Sequence, residues 1–430
     1  MILLAASALF YMSIAPAYYL LASATALSTY VFTMLMKREE QEKRRKTLLL
    51  AAISVILLPL VFFKYVGPHA GLMLPVGISF YTFMAIGYAI DVYREELEPE
   101  TNPAMLLLFL TFFPLILSGP IERARRMLPQ FRHTRAIDYD GIAAGLKMML
   151  WGYFMKLVVA DRVGLFVDAV YEDIPGQNGN SILCAVLLYP FQEYADFGGY
   201  SLIAIGAART MGIDVMENFR RPFFATSMTE FWRRWHISLI SWLTDYVFMP
   251  LSFALRKHRM AGLIASILVT FLLSGIWHGA TLAFLVWGLL QGSFLSLESL
   301  ARRQRTRVET TFHLTGRVWY IVLCCLGTYV LFAASEVFTR AATFGDALMV
   351  FERIVASRGR VYLNASTLLF SYLGLTLVFL KDLMDEYWPG RARLMEHPQI
   401  GVRYSSYLLL AVTIMLLGVF KGSRFIYFQF

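Results

Sequence analysis

The sequence predicts an all-α, polytopic membrane protein of about 10–12 helices with re-entrant segments. The first observation behind this is composition: of 430 residues, 58% are hydrophobic, 15% aromatic and only 16% charged. With a mean hydropathy of +0.57, the chain holds more apolar surface than a soluble domain can hide. The second is that lysines and arginines cluster between apolar runs, so the net charge of +9 reads as basic cytoplasmic loops and not as a nucleic-acid footprint. The third is that some apolar stretches are too short to cross, or carry basic residues at both ends. The whole chain, 1–430, reads as one integral-membrane domain, with N-terminal helices over 1–100, a core with re-entrant segments over 101–300 and C-terminal helices over 301–430.

Residues 1–36 are nearly continuous apolar sequence broken by Pro16. No charged leader or small-residue cleavage site precedes them, so they read as a helical pair and not as a cleaved signal. KREEQEKRRK at 37–46 is a solvated, orienting cytoplasmic loop. Spans over 47–66 and 74–92 are joined by the turn GPHAGLM, and Arg94 ends the second on the cytoplasmic side. The stretch 104–119 falls short of the roughly 20 residues a crossing requires, contains Pro114 and leads into SGPIERARR. It is expected to dip in and return, bringing Arg123, Arg125 and Arg126 to the cytoplasmic mouth.

From about 141 to 170 the chain crosses outward with Lys147, Lys156, Asp161 and Arg162, so part of it must face protein. The basic-poor YEDIPGQNGNS then suits the periplasmic side. A helix from 181 to about 208 carries Gln192, Glu193 and Asp196, and ARTMGIDVMENFRRP returns basic character to the cytoplasm. The stretch 225–255 is basic at both ends and reads as a second inward-dipping segment. Residues 261–298 read as a helical hairpin bent near Gly275. Spans over 317–338 and 362–380 flank a mixed-charge loop at 339–361. KDLMDEYWPGRARLMEHPQIGVR is cytoplasmic by its arginines, and 404–420 is the last span, leaving KGSRFIYFQF outside.

Ionisable groups at membrane depth are expensive, which makes FWRRWHISLISW and SGIWHGA the first places to look for a site. On a continuous helix Trp232, Trp235, Leu239 and Trp242 recur at three- and four-residue steps, with His236 nearly on that face. Glu230 precedes Arg234 by four, a favourable helical ion pair, and Arg233 points elsewhere. Gly275 and Gly279 flank Trp277 and His278, removing bulk so that backbone or substrate can approach the ring. A histidine among apolar residues is more often a satisfied core group than a catalyst, and tryptophans near charges also form interfacial belts. Asp196 is open to two readings as well. It orients or charges a histidine, or it pairs with an arginine such as Arg233 to hold the bundle.

Cys184, Cys324 and Cys325 fall within apolar runs without zinc-type spacing, and no metal site is expected. Walker, GxGxxG and GxSxG motifs are absent from the sequence, which argues against NTP-driven transport and serine-hydrolase chemistry.

FWRRWHISLISWLTDYVFMPL followed by SGIWHGATLAFLVWGLLQG resembles the membrane-bound O-acyltransferase family, in particular its bacterial branch that includes the alginate O-acetylases. Similar blocks run nearly end to end: LPVGISFYTFMAIGYAIDVYR at 74–94, FFPLILSGPIERARRMLPQF at 112–131, YADFGGYSLIAIGAARTMGIDVMENFRRPF at 194–223 and FIYFQF at 425–430. Three departures accompany them. Family members carry one more hydrophobic segment ahead of the stretch matching LLAASALFYM, the usual glycine pair after VFMPL is replaced by SFALRK, and the common DFSGYS reads DFGGYS.

The resemblance implies that His278 matches the catalytic histidine and His236 the second recurrent one. It also implies a fold of helices enclosing a central tunnel. Transferring an acyl group from a thioester to a hydroxyl requires removal of the hydroxyl proton, and imidazole titrates near the operating pH. On that reading His278 is the general base, and His236 with the Trp232 and Trp235 wall positions substrates or polarises the oxyanion, supported by Trp277, Asp196 and Glu193. Arg123, Arg220, Arg221, Arg233 and Arg234 are candidates for the donor's phosphates. The expected donor is acetyl-CoA, as a substrate, with no bound cofactor. The expected acceptor is an extracytoplasmic polysaccharide or a periplasmic, esterase-like acyl-relay protein, and the expected location is a bacterial inner membrane. The runner-up is a D-alanyl transferase for teichoic acid. A secondary transporter or flippase would predict half-to-half repeats, and the FWRRWH and WHG blocks have no counterpart in the first half.

Overall fold

The computed structural model describes residues 1–133, 136–361, 365–390 and 394–420, and among these it is built of helices and connecting turns with no strand. Eight described helices are long and apolar enough to cross a membrane by length and composition. Apolar side chains stand uncovered on them: Leu58 is 67%, Leu323 59% and Met415 74% exposed. At about 25 cal/mol per Å² of apolar surface, such faces suit lipid and not water. The chain is an all-α, multi-pass membrane protein, as its composition predicts.

The chain divides into two compact units, each assembled from segments distant in sequence. The first comprises Met1–Met149, Ala204–Glu217 and Ser241–Tyr246, the second Leu150–Ile203, Asn218–Ile240 and Val247–Phe430. In the first unit the helix Pro16–Arg38 begins at a proline, whose missing N–H would be unbonded there anyway. Buried Thr25, Thr29 and Thr33 line one of its faces, each hydroxyl donating to the carbonyl four residues back at 3.0, 2.7 and 2.9 Å. Small residues satisfied within their own helix let Glu42–Val61 and Ile78–Tyr93 pack against it.

Ile78–Tyr93 is buried along most of its length. Gly87 leaves room on it for Trp242 and Tyr246, either of which a Cβ would meet at 3.1 Å. Trp242 donates to the Phe83 carbonyl at 2.8 Å and Tyr246 to Asp91 at 2.6 Å. The nine-residue helix Pro103–Thr111 is about 13.5 Å long, under half of a hydrocarbon core of roughly 30 Å. Together with the four-residue Phe113–Ile116 it makes the short, broken element expected over 104–119.

Helices of the second unit are locally widened. A π-helical turn at Phe154–Ala160 leads into Asp161–Glu172, and another at Tyr194–Gly198 follows Gly179–Glu193. Each inserts extra backbone into the helical path and re-aims the side chains beyond it. The two turns meet: a Cβ on Gly199 would lie 2.8 Å from the Gly152 carbonyl, and Lys156 reaches Asp161 at 2.7 Å and Asp196 at 2.6 Å.

Several expectations are corrected. The region 339–361 is not a loop throughout, because Phe344–Ala356 is a helix opened by a capping box in which Thr343 and Asp346 satisfy each other's backbone N–H groups. It buries Ala347 and Val350, an amphipathic repeat that the mixed charge obscured. The hairpin over 261–298 exists, but Gly275 is helical. The turn lies at 279–281, between Arg259–His278 and Leu282–Thr311. A Cβ on Gly275 would meet the Phe284 carbonyl at 2.4 Å and one on Gly288 the Phe271 carbonyl at 2.5 Å, so these glycines seat one helix backbone on another. The last span is Ile400–Leu417. The FIYFQF block at 425–430, with the rest of the tail, and residues 391–393 of the preceding loop lie outside the described residues.

Candidate active site

The helix expected to run through FWRRWHISLISW is broken at its middle. Met228–Arg234 opens on Ser227, whose hydroxyl accepts from Glu230 N at 3.1 Å, and Glu230 in turn forms the expected ion pair with Arg234 at 2.6 Å. The chain then extends at Trp235, turns through a left-handed His236 (φ +45°) and begins Ile237–Leu243. For a residue with a Cβ that conformation costs roughly 1–2 kcal/mol, so something must hold it.

Asn218 and its neighbours hold it. Arg220 N donates to the Arg234 carbonyl at 2.8 Å and Ile237 N to the Asn218 carbonyl at 2.9 Å. The Asn218 side-chain oxygen accepts from Ser238 N at 3.2 Å and Ser238 Oγ at 2.9 Å, and its amide nitrogen donates to Ser201 Oγ at 3.1 Å. The same oxygen lies 3.2 Å from His236 Nδ1. An amide oxygen only accepts, so Nδ1 carries the proton and neutral His236 has its lone pair on Nε2. The ring packs edge-on to Phe197 at 4.7 Å, within the Tyr194–Gly198 π-turn.

His278 is the last residue of Arg259–His278, half-buried beside the hairpin turn. The Trp277 ring lies 4.4 Å from it, Trp287 meets it edge-on at 5.0 Å, and Phe284 lies nearly parallel at 6.4 Å. Gly279 does not open the ring to solvent or substrate as its lack of a side chain suggested. A Cβ there would meet the Phe284 ring at 2.1 Å, so the glycine admits that phenylalanine.

His236 and His278 line one cavity with Glu193, Trp232, Trp235, Trp287 and Glu336, of about 20 Å³ free volume, enough for a water-sized group. Trp232 donates to Gln291 at 3.2 Å and packs against Phe271 and Trp287, and Trp235 stacks on Phe231 at 5.4 Å. Asp196 does not line the cavity, and the cation it pairs with is Lys156, where the sequence suggested an arginine such as Arg233.

Of the five donor-phosphate candidates, Arg123 pairs with Asp245 at 2.9 Å, whereas Arg221 and Arg234 both grip Glu386 at 3.0 Å. Arg220 and Arg233 are exposed. Sequence reasoning missed Asn218, Trp287 and Glu336. A carboxylate inside VLFAASEVFTR was signal enough for the last, whereas Asn218 sits in an ordinary polar turn and becomes informative only beside His236.

Fold and cavity together define a multi-pass membrane protein with paired imidazoles inside its helices. The model of MBOAT, the membrane-bound O-acyltransferase family, matches residues 93–337. The chain is 30% identical over 390 residues to the probable alginate O-acetylase AlgI of Azotobacter vinelandii, covering 84% of this chain and 76% of that protein. It is 33% identical over 316 residues to the peptidoglycan O-acetyltransferase of Helicobacter pylori, covering 67% of this chain and 58% of that protein. The teichoic acid D-alanyltransferase of Bacillus subtilis is 32% identical over 272 residues, with 61% of this chain and 67% of that protein covered. The chain belongs to the membrane-bound O-acyltransferase family, and it is an enzyme of that acyl-transfer class. That membership sets aside the transporter reading.

Proposed function

We propose that the chain passes an acetyl group from cytoplasmic acetyl-CoA to a hydroxyl of an extracytoplasmic polysaccharide, directly or through a periplasmic relay protein, in a bacterial inner membrane. His278 takes the proton of the acceptor hydroxyl as its oxygen attacks the thioester carbon. The C–S bond then breaks, and the proton passes to the leaving thiolate. His236, held at Nδ1 by Asn218, lines the cavity and positions the acceptor there, and Arg220 and Arg233 are the exposed candidates for the donor's phosphates.

The observation that carries this reading is that two histidines from separate helical segments share one aromatic-walled cavity. The names of the alginate and peptidoglycan relatives favour acetyl and a glycan. D-alanyl transfer to teichoic acid is the second reading, favoured by the Bacillus subtilis relative.

His278→Ala, purified and reconstituted in lipid, is expected to lose acetyl transfer from labelled acetyl-CoA by about 10²-fold or more, with membrane insertion intact. Wild-type transfer by that variant overturns the assigned base. His236→Ala is expected to slow turnover less, and loss of expression instead would mark His236 as structural.

A further inference from the structure

Two carboxyl groups that this mechanism leaves unused share the cavity with the imidazoles. Glu193 ends Gly179–Glu193 and is 8% exposed, and Glu336 lies in Val318–Arg340 and is 2% exposed. Glu336 is held at both oxygens: Oε1 accepts from Trp287 Nε1 at 2.7 Å and Oε2 from Thr339 Oγ1 at 2.6 Å. Trp287 is the ring that meets His278 edge-on at 5.0 Å. Glu193 differs. Its Oε2 is buried and receives no hydrogen bond among the described residues.

The two carboxyls line the same cavity. Buried carboxylates are costly, and an apolar residue of similar volume would fill the space with less penalty. Two acids in one aromatic cavity therefore call for a cation. Among the described residues no three His, Cys, Asp or Glu side chains converge as metal ligands. The reaction itself makes a cation here, because His278 becomes an imidazolium when it takes the hydroxyl proton.

We propose that Glu193 and Glu336 act as a pair whose negative charge stabilises the imidazolium formed on His278. The inference rests on the reading of His278 as the base. Glu336, fixed by Trp287 and Thr339, anchors the pair, and Glu193 lines the same cavity with one buried oxygen that receives no hydrogen bond among the described residues. Neither carboxyl forms or breaks a bond to substrate. They are positioning residues, unchanged at the end of each turnover. The other charged and titratable groups around them are His236 across the cavity, Asp196 with Lys156, Tyr189, and Arg340 with its partner Asp168.

The test is steady-state acetyl transfer by the full chain in lipid, measured against pH for wild type, Glu193→Gln, Glu193→Asp and Glu336→Gln. Glu193→Gln keeps the volume and removes the charge that Glu193 contributes. It is expected to lower kcat about tenfold to thirtyfold, the size of one charge interaction across a protein cavity. KM for acetyl-CoA should stay within about twofold, since no donor contact is lost. The acidic limb of the kcat profile should move to lower pH, because an imidazolium without its anion sheds its proton more readily. Glu193→Asp should recover part of kcat and the wild-type limb.

Glu193→Gln with wild-type kcat and an unmoved limb overturns the pair. So does a lowered kcat that tracks lost folded protein with the limb unmoved. Loss of transfer from an aminoacyl donor alone, with acetyl transfer unchanged, also overturns it, since the acids would then read the acyl group. An inactive His278→Ala beside a wild-type Glu193→Gln sinks only the pair, whereas an active His278→Ala sinks the base itself.

Discussion

Asn218 does more for the site than its place in a polar turn suggests. One side-chain oxygen serves Ser238 N, Ser238 Oγ and His236 Nδ1, and its amide nitrogen is spent on Ser201. The strained backbone of His236 persists because these bonds over-determine it. Asn218→Ala would leave a buried donor set without its acceptor, at about 1–3 kcal/mol. The expected outcome is a lower melting temperature in detergent together with reduced transfer. An unchanged melt with full activity would show that the break at 235–236 holds without Asn218. Residues expected to act by electrostatics fare differently: Arg221 and Arg234 share Glu386, with Glu230 as a second partner of Arg234, whereas Arg220 and Arg233 are exposed.

At the scale of elements, interrupted helices set the site's geometry. The π-turn at Tyr194–Gly198 brings Phe197 against His236 and follows directly on Glu193, and the break after Arg234 ends the helix that would have run on from Trp232 through His236. Lys156 ties that π-turn to the one at Phe154–Ala160 through Asp196 and Asp161. Lys156→Met would strand both carboxylates in the interior, a loss of about 3–5 kcal/mol. Thermal melting should fall sharply, and adding Asp161→Asn and Asp196→Asn should restore much of it. A melt unchanged in the single variant would mean the lysine does not join the two turns. The hairpin Arg259–His278 and Leu282–Thr311 shows the same logic in another form, since Gly275 and Gly288 let its backbones touch and so hold His278 beside Trp287.

For the whole molecule the outstanding question is which loops face which compartment. The basic run at 37–46 predicts a cytoplasmic loop and the basic-poor 171–181 a periplasmic one. In a variant with Cys184, Cys324 and Cys325 replaced by alanine, a cysteine at Gln41 should react with an impermeant thiol reagent only after cells are opened. One at Gln177 should react in intact cells. The reverse pattern would invert the assigned orientation, and with it the side from which the proposed donor would reach the cavity.

Hydropathy and charge clustering were enough to establish an all-α membrane protein, because each is a local property of composition and spacing, and the two histidine blocks, through the family they resemble, singled out His236 and His278. The short element over 104–119 and the Glu230–Arg234 pair were legible for the same reason. What only the tertiary structure decided is convergence. The hydrogen bonds that break the helix at His236 come from Asn218, Asp196 finds Lys156, and Glu336 arrives at the cavity from a later helix. Periodicity describes how a segment would fold alone, whereas a buried polar group takes whichever partner the packed chain delivers, and that choice is settled by contacts far apart in sequence.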